Sequence, residues 1–380
     1  MRNAAIAASI IALAASSAAA ETGSVPLSAD ELLAPYYAKL EKQISLPVAQ
    51  PNVSLARTTN LTRVAFGSCN HQSRHQTIWA QIAAKNPDMF LFIGDNNYGD
   101  QGWNGDASLS TLRAAYATMA KTPELADFRS KVPMMVTWDD HDFGFNDGGA
   151  NFAFRGWSET IFETFWGSSN EVRSRPGVYE SVTFGEAGKR TQIITLDTRF
   201  FRSDFERMEY TPKRPLLGSY VPSSDPSKTM LGGAQWAWLK QELAKPADLR
   251  ILVSSIQVVT DAHNYEAWES MPAERTKLYS MLGARADSGL VLLSGDRHGA
   301  GIYKEQIGDE TVWELTSSSL NYSFASTAQN TKREPDAKRV TDFISEENFG
   351  TVEIDWNSNA FTMMLYGNKG EERASQTVKF

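Results

Sequence analysis

The sequence offers almost nothing for cross-linking: one cysteine, Cys69, in 380 residues. An intramolecular disulfide is therefore excluded, and the fold must rest on its core. An excess of positive charge is also missing. Lys and Arg total 37 against 45 Asp and Glu, a formal net charge of −8, which argues against non-specific binding to nucleic acid or an anionic membrane. That sign does not exclude an anionic substrate, because a bound metal reverses the local field. After the first twenty residues no run is apolar enough to cross a bilayer. Internal repeats and low-complexity tracts are absent as well.

What is present begins with Arg2 ahead of an apolar stretch from Ala4 to Ala20 that closes on Ala18-Ala19-Ala20. A basic residue, a short apolar region and small residues at its end are the pattern of a secretory signal peptide. Without a twin arginine, the general export route is expected, with cleavage after Ala20 and a periplasmic or secreted product. Residues 21–60 read as an N-terminal extension with a helix over Ala29–Ile44 capped by Asp30, because Leu32, Leu33, Tyr37, Leu40 and Ile44 recur at helical spacing. Residues 61–380 read as one catalytic domain.

Within that domain one pattern recurs: a short apolar run ending in glycine or polar residues. Val64–Phe66 leads into Gly67-Ser68-Cys69-Asn70, Met89–Ile93 into Gly94-Asp95, and Met134–Val136 into Thr137-Trp138-Asp139-Asp140-His141-Asp142. Ile193–Leu196 leads into Asp197-Thr198-Arg199, Ile251–Val253 into Ser254-Ser255-Ile256-Gln257, and Leu290–Leu293 into Ser294-Gly295-Asp296-Arg297-His298. Such runs fit strands buried on both faces. Helices are expected over Arg74–Lys85 and Gln235–Leu243, and a closing hairpin over Thr351–Trp356 and Ala360–Tyr366. Alternation of strand and helix predicts an α/β fold, with ligands beyond the carboxyl ends of the strands.

The polar ends carry the chemistry. Asp95, with Tyr98 three residues on, either caps a tight turn or aims a carboxylate and a phenol at one point; a carboxylate suits hard cations and a phenolate a strongly Lewis-acidic metal such as ferric iron. Asp139, Asp140 and Asp142 around His141 are either a solvated helix-capping loop or a cation site. The phenylalanines that follow favour the second, and the flanking carboxylates suit His141 to a general acid. Asp296 and His298, two apart, point the same way, so Arg297 should face away unless the loop turns. Cys69 is either a buried apolar residue or a thiolate ligand. Arg199 is the expected planar clamp on substrate oxygens, with Arg202 its alternate. His71 should line the cleft, whereas a zinc site shared with His75 is disfavoured. His263 should be solvated or face substrate, Trp103 and Trp157 are mostly core or cleft wall, and Gln329–Asp342 should be a surface excursion.

Gly67-Ser68-Cys69, Gly94-Asp95-x-x-Tyr98, Trp138-Asp139-Asp140-His141-Asp142, Leu196-Asp197-Thr198-Arg199, Leu231-Gly232-x-x-Gln235-Trp236-x-Trp238-Leu239 and Ser294-Gly295-Asp296-Arg297-His298 occur in that order. Together they resemble the alkaline phosphatase D (PhoD-like) branch of the calcineurin-like metallophosphoesterases, over roughly residues 61–345. The resemblance implies a β-sandwich of two mixed sheets flanked by helices. It implies ferric iron held by Cys69, Asp95, Tyr98 and His298, with Asp95 bridging to a second ion, calcium, held by Asp140 and Asp296. It makes His141 the catalytic histidine, Asp142 its orienting partner and Asn146 a further ligand or phosphate donor. Gln257 falls where many relatives of that superfamily have a metal-binding histidine. The sequence departs from the family in its export route and in lacking the frequent N-terminal β-domain.

The expected reaction is phosphoester hydrolysis, in which a metal-bridged hydroxide attacks a small-molecule phosphate mono- or diester. Its rivals are a phosphodiesterase or phospholipase-type activity on the same centre and a non-enzymatic periplasmic phosphate- or metal-binding protein. Nothing in the sequence specifies an oligomeric state.

Overall fold

A computed structural model describes residues 28–209, 217–286, 288–324 and 334–380. The expected signal peptide and the start of the extension lie outside the described residues. Each of the six apolar runs forms a strand. They are β1 (Arg63–Gly67), β2 (Met89–Ile93), β3 (Met134–Thr137), β5 (Thr191–Thr195), β8 (Leu249–Ser254) and β9 (Gly289–Ser294), with β4 (Glu180–Phe184) and the short pair β6 (Glu206–Arg207) and β7 (Tyr220–Val221) between them. Downstream come β10 (Gly299–Ile307), β11 (Glu310–Ser318), β12 (Asn348–Asp355), β13 (Ala360–Gly367) and β14 (Glu372–Lys379).

The strands build two six-stranded sheets, ordered β14-β13-β12-β1-β2-β3 and β10-β11-β9-β8-β5-β4. Both are mixed: β1, β2 and β3 are parallel, as are β5, β8, β9 and β11, while antiparallel strands complete each sheet. The two-residue period of a strand explains the layering. Met89, Leu91 and Ile93 face the second sheet and meet Ile251, Val253, Val291 and Leu293, while Phe90 and Phe92 point outward to Trp79 and Phe128 under the helices. On the far side Leu252 and Leu292 meet Trp236, Leu239, Leu278 and Leu282. The result is the helix–sheet–sheet–helix sandwich expected.

Several local expectations are corrected. The first helix runs Ala29–Leu40 and is capped by Ser28 in a capping box with Glu31, not by Asp30. The helix expected from Arg74 starts only at Ile78, because the amide of Asn321 takes the carbonyls of His71 and His75 out of any helical ladder. His75 consequently sits in a loop, paired with Glu347 at 3.0 Å. The closing hairpin gains a third strand, β14. The extension lies across the open edge of the first sheet. There the Asn52 amide donates to the Met134 carbonyl at 3.0 Å and accepts from its N–H at 3.2 Å, satisfying part of an edge that would otherwise be a pairing template.

Candidate metal centre

The strands that end in polar motifs deliver them to one rim of the sandwich, and the backbone there is bent hard. Of eight non-glycine residues with positive φ among the described residues, four are predicted ligands: Cys69 (57°), Asp95 (48°), Asp296 (67°) and His298 (49°). A fifth, Asp147 (53°), lines the cleft beside them. Left-handed backbone costs a residue with a side chain about 1 kcal/mol or more and clusters at functional sites. Gly94 permits the approach: at φ 112° a Cβ would lie 2.6 Å from that of Asp139.

The first donor group forms around Asp95. Its Oδ2 receives the Cys69 thiol at 3.1 Å and the Tyr98 hydroxyl at 3.2 Å, and that hydroxyl lies 3.4 Å from His298 Nε2. Asp95 Oδ1 is buried with no hydrogen-bond partner. Burial, and then the nearby Cys69, hold the Asp95 pKa well above the carboxylate range. Burial likewise pushes the Cys69 thiol up to about 11 and the Tyr98 phenol above its usual value. Three convergent groups that burial keeps protonated, around an unsatisfied oxygen, suit a cation, which would stabilise each deprotonated form. Burial pushes His298 down to about 4, so its imidazole is neutral. Its Nδ1 lies 2.6 Å from the Tyr322 carbonyl, which as proton acceptor leaves Nε2 with a lone pair toward the centre.

Asp95 also belongs to a second group, an oxygen-only set with Asp139, Asp140 and Asp296, whose ligand atoms lie within 4.8 Å of one another. Burial and the neighbouring carboxylates of Asp139 and Asp140 raise the Asp296 pKa. Burial also disfavours the Asp140 anion, but His141, Arg199 and the Asp147 N–H together pull its pKa below the ordinary value. Asp140, Asp147 and Glu266 form a further acidic triplet on the cleft wall. The residues present thus fit one mixed sulfur, nitrogen and oxygen site and one hard-cation site joined by Asp95.

His141 lies beside both groups. Burial opposes its protonation, but Asp140, Asp95 and a 2.8 Å bond from Nδ1 to Asp100 outweigh that and raise its pKa to about 11. Cations on the same carboxylates would relax that rise. Asp100, not Asp142, therefore makes the contact to the imidazole. Asp142 instead caps the one-turn helix Asp140–Phe143, accepting the Asp139 N–H at 2.7 Å and the N–H groups of Asp95 and Asn96. The clamp expected at Arg199 is corrected too. Its fully buried guanidinium is bound by Asp139 at 2.6 Å and Glu266 at 2.6 Å, and Arg202 completes the cluster at 2.9 Å from Glu266. Both arginines stand behind the cleft wall and neutralise it. Arg199→Ala should therefore cost about 3–5 kcal/mol of stability, the range for stranding a buried charge, read by denaturant unfolding.

Other residues divide similarly. Asn146 lines the cleft and is exposed. His71 is half-buried, stacked on Tyr98 at 5.2 Å rather than on the cleft wall. His263 is buried and bonded through Nε2 to Gln257 at 3.0 Å, so the solvated reading is corrected. Trp157 is core. The stretch from Glu334 onward is no free excursion, since buried Glu334 pairs with Arg297. Arg297 itself reaches the cleft because the loop does turn, at Asp296 and His298. Asp100 and Glu266 carried no sequence signal beyond being acidic loop residues.

A family model described as PhoD-like phosphatase matches residues 64–147 and 167–365. The chain belongs to the PhoD-like phosphatase family. Alkaline phosphatase D of Bacillus subtilis (strain 168) is 23% identical over 295 residues, which are 66% of this chain and 48% of that protein. The chain thus spans about half the length of that curated relative. The solved structure of PhoD matches with a TM-score of 0.64 at 18% identity, covering 88% of this chain and 73% of that one. This PhoD-like chain therefore shares the fold of that structure.

Proposed function

We propose that this PhoD-like protein is an exported, metal-dependent phosphoester hydrolase acting on phosphate mono- or diesters. One observation carries the reading: the Asp95 carboxylate is shared by two donor groups, with His141 and its Asp100 partner beside them. Cys69, Asp95, Tyr98 and His298 would hold one ion, proposed as ferric iron; Asp95, Asp140 and Asp296 would hold the other, proposed as calcium. Bound there, such ions supply Lewis acidity and activate water for attack on phosphorus.

The chain's own groups do the rest. The carboxylates would hold the cations in place at the rim, so that phosphoryl charge would develop in an environment that need not reorganise. His141, held at Nδ1, has Nε2 left for the substrate and gives a proton to the leaving oxygen as the P–O bond breaks. Water adds to phosphorus and gives up a proton to solvent, and the alcohol leaves neutral. No described helix is long and apolar enough to cross a membrane, and Ala4–Ala20 supports export. A mature chain beginning at Glu21 would bear that out.

The test is metal analysis of the purified protein alongside a panel of paired aryl mono- and diesters. Chelation should abolish turnover and lower Tm by about 5 °C, taking a few kcal/mol of linked binding energy. Turnover that survives complete metal removal would sink the reading.

A further inference from the structure

The cleft holds about 630 Å³, a volume suited to an organic ligand rather than to a phosphate ion alone. Two of its aromatic walls stand on consecutive residues of the turn that carries Asp296. The Phe324 ring lies 4.2 Å from the His298 imidazole, centre to centre. The Arg297 guanidinium lies 4.6 Å over the Tyr265 ring. Phe324 is 64% exposed, the most of any large apolar side chain among the described residues, and Tyr265 is 39% exposed. Aromatic surface held open to water beside a reactive centre is a binding feature when it is rooted on rigid supports. Both rings have such support. Phe324 also packs on Tyr322 at 4.7 Å, and Arg297 is anchored by buried Glu334.

We infer that Tyr265 and Phe324 form a subsite for a planar aromatic group on the ester, so that the preferred substrate is an aryl or nucleoside phosphoester. The inference rests on the phosphoester reading of the adjacent centre. The cleft that both rings line also contains Asp140 and Asp296, the proposed oxygen ligands of the centre. A flat ring can stack there, whereas a short alkyl group leaves the aromatic faces wet. Arg297 holds the Tyr265 ring by a cation–π contact while its charge is paired with Glu334.

Non-hydrolysable phosphonates separate the head group from the ring. Calorimetric titration of the metal-loaded protein with phenyl-, cyclohexyl- and methylphosphonate should show phenyl binding about tenfold tighter than methyl, as one good stack provides, with cyclohexyl between. Phe324→Ala combined with Tyr265→Ala should erase the phenyl advantage and leave methylphosphonate within about twofold, since neither residue belongs to the donor groups. Phe324→Leu, which keeps apolar bulk without a ring, should bring phenyl down to the cyclohexyl level. A phenyl advantage that is absent, or that survives both alanine substitutions while methylphosphonate binds, overturns the subsite alone. Failure of methylphosphonate to bind the loaded protein overturns the phosphoester reading and the subsite with it. The methylphosphonate analogue of adenosine 5′-monophosphate distinguishes the two sources of the ring. Equal sensitivity to the substitutions extends the subsite to nucleosides, and insensitivity confines it to short aryl esters.

Discussion

Replacing Asp95 by Asn should give a folded protein that retains neither metal and turns over phosphoesters at least ~10³-fold more slowly, the rate equivalent of several kcal/mol of lost charge stabilisation. Asn matches Asp in size and can still receive the Cys69 and Tyr98 donors on its carbonyl oxygen, so the scaffold has little reason to fail. What it cannot do is carry a negative charge shared between two cations. The change should therefore abolish the Tm increment given by metal while leaving the metal-free Tm within a few degrees of the parent. Elemental analysis and paired melting curves check this. A variant that still holds both ions at full stoichiometry would remove Asp95 from the bridging position. Cys69→Ser should give a milder version, with loss weighted toward the iron side.

His141→Ala should separate binding from chemistry. None of the proposed ligand sets depends on its imidazole, so metal content should persist while kcat falls by about 10²–10⁴, the usual contribution of a positioned acid. The loss should be smallest for esters with good leaving groups, which need least help from a proton. Asp100→Asn should reproduce the pattern more weakly, by roughly tenfold in kcat with KM nearly unchanged, because it loosens the hold on Nδ1 without removing the ring. Asp142→Asn should behave differently. It sits in the cap of the Asp140–Phe143 turn and receives the Asp95 N–H, so its substitution should lower stability by about 1 kcal/mol and weaken metal retention, with no special dependence on the leaving group. Metal loss in His141→Ala would mean that the imidazole is a ligand.

These contrasts mark where the sequence could be read and where it could not. Every apolar run ending in glycine or polar residues became a strand, because a run flanked by turn formers has few other ways to bury itself. The strand ends therefore located Cys69, Asp95, Asp140, Asp296 and His298 near one another, and the structure brings them to one rim. Direction was harder. Arg199 follows a strand as the others do, yet its side chain turns inward to Asp139 and Glu266, and nothing local announces which of two faces a loop residue takes. Asp142 looked like a partner for the adjacent histidine, but one helical turn folds it back onto the residue three before it. Asp100 and Glu266 lie in irregular segments where an acid is the expected solvent-facing residue. Their roles exist only once distant strands are assembled. Strand β14, half-exposed and polar, lacked the buried period that revealed its neighbours.

The left-handed backbone at Cys69, Asp95, Asp296 and His298 sets stability and chemistry against each other at the same four positions. Glycine at any of them would relieve the local conformation and, for the acids, remove a carboxylate that burial makes costly. A screen that rewarded heat tolerance alone would accordingly drift toward glycine there, trading away the centre one ligand at a time. A homologous chain found with glycine at two or more of these positions should be a sturdy sandwich that binds no metal. Its survival in a genome would have to be explained by something other than hydrolysis.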